Sequence, residues 1–296
     1  MRTLLAVEQL AQIACLWEAT ARKVGNVHRY ADFPGTSYLD FILSATAIGR
    51  FFSSSWSRHV GHTILLTVEE THAIVGQNTN LGMLLLLAPL IAVPRVISLK
   101  NPEKTGIDAV LGSLSKRDAQ HVYQAIRLAN PGGLGEAPEQ DVRQEPTVTL
   151  LEAMKLAADR DLVARQYANG FADVFDFGTP AFLDAFGRFG CVEAAVIDSQ
   201  LRWLAAYPDS LIARKNGPAV AEDVRQRAAE VQRLGGIATP EGRRAGVALD
   251  KSLRSDGNKL NPGTTADLIT ACLFVALREN KVTPAAPFRW DVPDWL

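Results

Sequence analysis

Pro218-Ala219-Val220-Ala221-Glu222-Asp223-Val224-Arg225-Gln226-Arg227-Ala228-Ala229-Glu230-Val231-Gln232-Arg233-Leu234-Gly235-Gly236 is the stretch that decides the fold class. Val220, Val224, Ala228, Val231 and Leu234 recur at steps of four and three, which places them on one helix face with polar residues opposite. The paired glycines then offer the left-handed conformation that ends a helix. The same period runs through Leu5, Leu10, Ile13, Leu16 and Trp17, and through Leu39, Ile42, Leu43, Ala47 and Ile48. Val60, Ile64, Leu65, Val68 and Val75 outline a further helix closed by Gly76. Ser115 with Asp118, Thr149 with Glu152 and Thr264 with Asp267 have the hydroxyl-to-acid spacing that caps a helix start. Only Thr63 to Val68 could alternate as a strand. The expectation is an all-α fold: one compact multi-helix domain over residues 1–280, a long loop near 130–146, a second loop at 255–263, and an irregular tail over 281–296 carrying Trp290 and Trp295.

Composition narrows the function. With 296 residues and 47% hydrophobic content the chain can bury a large core. Its 31 basic and 32 acidic side chains leave a net charge of −1, too little to draw in nucleic acid or an anionic membrane surface, so any anion site must be local. Cys15, Cys191 and Cys272 lie far apart in apolar contexts, as core thiols of a reducing compartment do. Arg2 is followed too soon by Glu8 and Gln9 for a signal-peptide core, and a cytoplasmic location is expected. The most hydrophobic run, Leu81 to Val93, is shorter than the about 20 residues that span a bilayer. It reads as a buried helix kinked or ended near Pro89.

Four polar clusters interrupt the helical pattern. The first is Lys23-Val24-Gly25-Asn26-Val27-His28-Arg29, followed by Asp32. The second is Asn78-Thr79-Asn80-Leu81-Gly82, with Glu69 and Glu70 on the preceding helix. A helix beginning there aims free amides at the polar run, a seat for an anion. The chain has neither the P-loop nor the Gly-x-Gly-x-x-Gly pattern. The third cluster runs from Pro208 to Lys215, and the fourth from Asn258 to Asp267.

In order and spacing these clusters resemble the triphosphoribosyl-dephospho-CoA synthases, an all-helical transferase family. Lys23 to Arg29 is similar to the family's Lys-Pro-Gly-Leu-Val-Asp-Arg, with Val24 for proline and His28 for aspartate. Asn78 to Gly82 resembles its Asn-Thr-His-Lys-Gly, with Asn80 for histidine and Leu81 for the basic residue. Asp209 and Arg214 match an aspartate followed five residues later by arginine. Asn261 to Leu268 is similar to Ser-Pro-Gly-Gly-Ser-Ala-Asp-Leu. Ala164-Arg165 with Ala168, Gly170 and Phe171 resembles a further family stretch, one residue shorter. The likeness covers residues 17 to about 280.

The resemblance implies a reaction in which the ribose 2′-hydroxyl of dephospho-CoA displaces adenine from C1 of the ribose of ATP. Such a displacement passes through an oxocarbenium-like state that a carboxylate stabilises, and needs a base, an acid and a cationic triphosphate seat. Asp32, Asp209 and Asp267 are then the candidate catalytic carboxylates, and Glu69 and Glu70 the ligands of Mg²⁺. Lys23, Arg29, Arg214 and Lys215 would hold phosphates, with Gly25, Asn26, His28, Asn78, Thr79, Asn80, Gly82, Asn261 and Gly263 completing the nucleotide seat. The Asn-Thr-Asn-Leu-Gly variant resembles family members of organisms that use tetrahydromethanopterin, so ribosyl transfer to a related acceptor is the same-fold alternative. A non-catalytic helical nucleotide-binding protein is the other.

Plainer roles compete for the same residues. Asp267 could be the acid of a capping box and Asp209 an N-cap. Lys23 and Arg29 could be solvated helix-end cations, His28 a loop histidine, and Asn78 and Asn80 turn or cap residues. Glu69 and Glu70 point about 100° apart on a helix, so at most one faces a site. His59, His62 and His72 lack a His-Glu-x-x-His pattern for zinc, and Ser53-Ser54-Ser55 lacks a nucleophile elbow. The oligomeric state has no signature in the sequence.

Overall fold

A computed structural model describes residues 5–52, 59–103, 105–255, 257, 259–284 and 289–290; Arg2, Ser53 to Ser55, Asn258 and Trp295 lie outside these. The described residues form fourteen α-helices and no strand, in agreement with the expected fold class. They are α1 (Val7–Thr20), α2 (Tyr38–Phe52), α3 (Val60–Val75), α4 (Leu81–Ala92), α5 (Ile107–Ser113), α6 (Lys116–Ala129) and α7 (Leu150–Ala157). Then come α8 (Leu162–Ala168), α9 (Thr179–Phe189), α10 (Val192–Ala206), α11 (Ser210–Asn216), α12 (Pro218–Arg233), α13 (Pro240–Arg254) and α14 (Gly263–Arg278). A π-helical turn, Asp173–Gly178, leads into α9.

The amphipathic stretch over 218–236 is α12: Val224, Ala228 and Val231 are buried, and the chain leaves the helix through Gly235 at φ 94°. Gly76 closes α3 in the same way. Ser115 and Thr149 form the expected capping boxes. Thr63 to Val68 lies inside α3. No helix among the described residues is long and apolar enough to cross a membrane.

Two helices are buried nearly all round and pack together at the centre, α4 and α14. The helix α4 does not end at Pro89; it continues to Ala92. Proline removes the amide that would bond to the carbonyl of Leu85, and the Tyr167 hydroxyl donates to that carbonyl instead, at 2.6 Å. With the orphaned acceptor satisfied from another helix, the cost of an internal proline is reduced. The helix α10 joins two hydrophobic clusters by opposite faces: Val192, Ala195, Val196 and Trp203 pack on the central pair, while Ile197, Leu201 and Leu204 pack with α12 and α13.

From Asn130 to Thr149 the chain has turns but no helix, as expected of the long loop. In the tail, Trp290 packs on Trp17 at 6.2 Å between ring centroids, and the α10 amides of Val192 and Glu193 donate to the carbonyls of Arg289 and Trp290. The three cysteines are buried and form no disulfide among the described residues.

Candidate active site

The first turns of α4, α8 and α14, together with Arg214 and Lys215 of α11, line one cavity of about 900 Å³. The long loop supplies another wall through residues including Gly132, Leu134 and Gln140, and α6 and α7 an apolar one through Val122, Ile126, Leu150 and Met154. Three of the four polar clusters therefore come together. Asn78, Thr79, Asn80 and Gly82 line the cavity, as do Arg214 and Lys215, and Asn261, Gly263 and Asp267. From the first cluster only Asn26 and Val27 do so.

Close approach of backbone to side chain explains the glycines. A Cβ on Gly82 would lie 1.9 Å from Asp267 Oδ2, so the second cluster ends in glycine because the fourth cluster's carboxylate rests there. A Cβ on Gly263 would meet Leu211 of the third cluster at 2.6 Å. Across the cavity floor, Asn26 Nδ2 donates to Asn261 Oδ1 at 2.6 Å, while Gln200 donates to Asn26 Oδ1 at 2.8 Å.

Thr264 and Asp267 do not form a capping box. The helix α14 starts at Gly263, so Thr264 already lies inside it, and the cap comes from Asp209, 56 residues away in the chain. Asp209 Oδ2 accepts from the Thr265 amide (2.7 Å) and hydroxyl (2.8 Å), and Oδ1 from the amides of Leu211 (2.9 Å) and Ile212 (3.1 Å). One carboxylate thus caps α11 and α14 and locks their starts together. Asp267 is left without a hydrogen-bond donor among the described residues. Burial, then the charges of Glu18, Asp209 and Asp161, hold its carboxyl well above the usual carboxylate range, with Arg214 opposing.

At the start of α4, Asn78 Oδ1 accepts from the Leu81 amide at 3.1 Å. Asn80 turns inward, donating to Thr71 Oγ1 at 3.1 Å, and makes no cap bond. Among the described residues nothing accepts from the amides of Gly82 and Met83, which leaves them directed at the cavity end of the helix. Opposite stand the cations. Arg214 is paired with Asp161, the N-cap of α8, and its Nε is buried without a partner. Lys215 lies on the exposed rim of the cavity, its ammonium destabilised by partial desolvation and then by Arg214. The long loop presses on both: a Cβ on Gly132 would meet Lys215 Cε at 2.6 Å, and one on Gly133 the Arg214 carbonyl at 2.9 Å.

The other expected site residues lie outside the cavity lining. Lys23 is fully buried, its Nζ 2.9 Å from Glu18 Oε1 and donating to the Glu18 and Ala21 carbonyls, so it presents no charge to a ligand. Arg29 joins Arg22 on the buried carboxylate of Glu193, at 2.7 Å and 2.9 Å. Gly25 donates to Asp250 Oδ1 at 2.7 Å in a left-handed turn (φ 72°) that Leu253 crowds. His28 accepts from the Tyr30 amide at 3.2 Å; burial, then Arg254 and the neighbouring cations, lower its pKa to about 3, so it is a neutral structural imidazole. Asp32 accepts from the Tyr38 amide at 2.6 Å, holding the start of α2. Glu69 is exposed, and Glu70 pairs with Arg50 at 2.9 Å. No group of three side chains placed to hold a metal ion occurs among the described residues, and His62 packs at a tilt against His121, 4.9 Å between ring centroids.

The cavity also holds groups the sequence reading passed over: Glu18, Asp161 and Arg160. Asp161 directly precedes the apolar start of α8, a cap signal. Glu18 continues the i, i+3, i+4, i+7 stripe of Ala11, Ala14 and Cys15, an acid where the helix period calls for an apolar residue.

Comparisons with known proteins find relatives named for triphosphoribosyl transfer. A family model described as ATP:dephospho-CoA triphosphoribosyl transferase matches residues 5–284. A Pseudomonas putida protein named "Probable 2-(5''-triphosphoribosyl)-3'-dephosphocoenzyme-A synthase" is 27% identical over 207 residues, 68% of this chain. The match spans 62% of that curated relative's length. A crystal structure of a candidate triphosphoribosyl-dephospho-CoA synthase from Archaeoglobus fulgidus superposes with a TM-score of 0.62 at 27% identity, covering 81% of this chain and 98% of that one.

Proposed function

The chain belongs to the ATP:dephospho-CoA triphosphoribosyl transferase family, and from that premise we propose that its cavity transfers the 5-triphosphoribosyl group of ATP to the ribose 2′-hydroxyl of dephospho-CoA, releasing adenine. One observation carries the reading: the carboxyl of Asp267 rests on Gly82, in a cavity whose other walls hold the cations Arg214 and Lys215. Displacement at the ribose needs a carboxyl group beside the reacting carbon and positive charge around the phosphates, and this arrangement supplies both.

Arg160, Arg214, Lys215 and the Gly82 and Met83 amides suit the triphosphate. Mg²⁺ enters with ATP as part of the substrate, its shell completed by phosphate oxygens and water. Glu69 and Glu70 stand outside the cavity and do not fit as its ligands. Asp209 and Asp32 act on helix ends rather than on substrate. Three buried cysteines outside any disulfide among the described residues support a reducing, cytoplasmic setting.

A second reading, transfer to another ribosyl acceptor, is favoured by positions 80 and 81. Asn80 turns inward and Leu81 is buried, so these two positions offer the cavity no basic side chain where the resembled pattern has two. Incubation with ATP, Mg²⁺ and dephospho-CoA, with free adenine as the readout, tests both readings. Adenine release that depends on dephospho-CoA supports the first. Thermal stabilisation by ATP without such release moves the assignment to the second.

A further inference from the structure

Glu18 sits on the buried face of α1 at 2% exposure, yet its side chain borders the cavity. Its carboxylate is held at one oxygen, Oε1, by Lys23 Nζ at 2.9 Å; no described residue donates to Oε2. Lys23 has no exposed surface and is faced in turn by Arg254 and Glu193. A buried ion pair seldom stabilises a fold better than apolar residues of the same volume, so packing alone does not account for placing one in the cavity wall. Both acids line the same cavity; the charge of Glu18 raises the Asp267 carboxyl, and the charges of both acids raise the buried Cys15 thiol.

The transfer reaction needs two such groups. The C1′–N9 bond of ATP breaks and a bond forms from C1′ to the acceptor's 2′ oxygen. The hydroxyl proton must leave, and adenine must gain one. A carboxylate and a carboxylic acid together meet both needs with no net change in protons.

We propose that Glu18 is the general base that takes the proton of the attacking ribose hydroxyl, while Asp267 gives its proton to the departing adenine. Burial raises the Glu18 carboxyl and the Lys23 cation pulls it back down, whereas Asp267 has burial and three acidic neighbours against its charge and is raised well above the carboxylate range; of the two, Glu18 is the better base and Asp267 the one that keeps a proton. Return of the proton from Glu18 to Asp267 through the cavity resets the pair. The inference rests on the transferase reading above.

The test compares ATP with an analogue carrying a nicotinamide base, which leaves as a neutral molecule and needs no proton. Asp267→Asn loses about 10²-fold or more in kcat with ATP and regains most of it with the analogue. Glu18→Gln loses a similar factor with both substrates, and the acidic limb of its kcat/KM–pH profile disappears. Because Glu18→Gln leaves Lys23 unpaired, the double variant Glu18→Gln/Lys23→Met is measured beside it and shows the same losses. Glu18 variants that turn over ATP within about threefold of the unaltered protein, or that the analogue rescues, overturn the inference while leaving the transferase reading intact. An unaltered protein that releases no adenine overturns the reading and the inference together.

Discussion

Gly82→Ala separates stability from catalysis. The added Cβ would lie 1.9 Å from Asp267 Oδ2, against about 3.4 Å for ordinary contact, so the carboxyl must withdraw by about 1.5 Å. Gly82 does not adopt a positive φ, and alanine is preferred to glycine in a helix by up to about 1 kcal/mol. The obstructing atom is the end of a side chain, so the fold accommodates the methyl group by moving Asp267 rather than backbone. Unfolding should therefore be unchanged or slightly harder. A displacement of about 1 Å in a reacting group costs about 10²-fold in rate, so kcat for adenine release should fall by at least that factor. The assay is adenine release at saturating ATP and acceptor, with a thermal melt on the same sample. A Gly82→Ala protein that keeps its kcat within about threefold shows that the position of Asp267 against Gly82 is not the productive one.

Asp209→Ala removes the acceptor for four hydrogen bonds, leaving buried amides at two helix starts, and should cost about 3 kcal/mol or more in urea unfolding. His28 has a folded pKa of about 3, against 6.5 for the free group, so between those values the unfolded chain binds the extra proton. Its contribution is therefore complete above about pH 6.5 and is lost as pH falls toward 3, by up to about 1.4 kcal/mol per pH unit; His28→Gln should flatten that part of the stability–pH curve. Lys215→Ala should raise KM for ATP by about tenfold or more with a smaller effect on kcat, because its charge meets phosphate in ground and transition states alike.

The helices were legible because their burial follows the local 3.6-residue period and their ends carry local caps, as in α12 with Gly235 and in Ser115 with Asp118. What misled was local evidence overruled from a distance. Pro89 announces a break, but Tyr167 repairs the exposed Leu85 carbonyl from 82 residues away. Thr264 and Asp267 have cap spacing, but Asp209 reaches in first and frees Asp267 for the cavity. In the first cluster the order of residues resembles the family, yet order says nothing of which way a side chain faces. Lys23 and Arg29 turn toward Glu18 and Glu193, partners outside the cluster. Glu18 was missed because one acid in an apolar stripe looks like ordinary helix variation until a cavity is found beside it.

The net charge of −1 now has a mechanical meaning on the transferase reading. No long-range field gathers ATP, so affinity must come from contacts made after entry. The cations sit on α11 and in the turn between α7 and α8, and the acids Glu18 and Asp267 on α1 and α14. A triphosphate drawn to Arg214 and Lys215 leaves its sugar free to meet the carboxyl groups, and the reverse orientation would set phosphate against the carboxylate of Glu18. Repulsion at the wrong end fixes orientation as firmly as attraction at the right one. Gly132 and Gly133 of the long loop touch those same two cations, so the loop and the triphosphate share one set of partners. Filling the phosphate seat and positioning the loop wall of the cavity are, on this geometry, a single binding event.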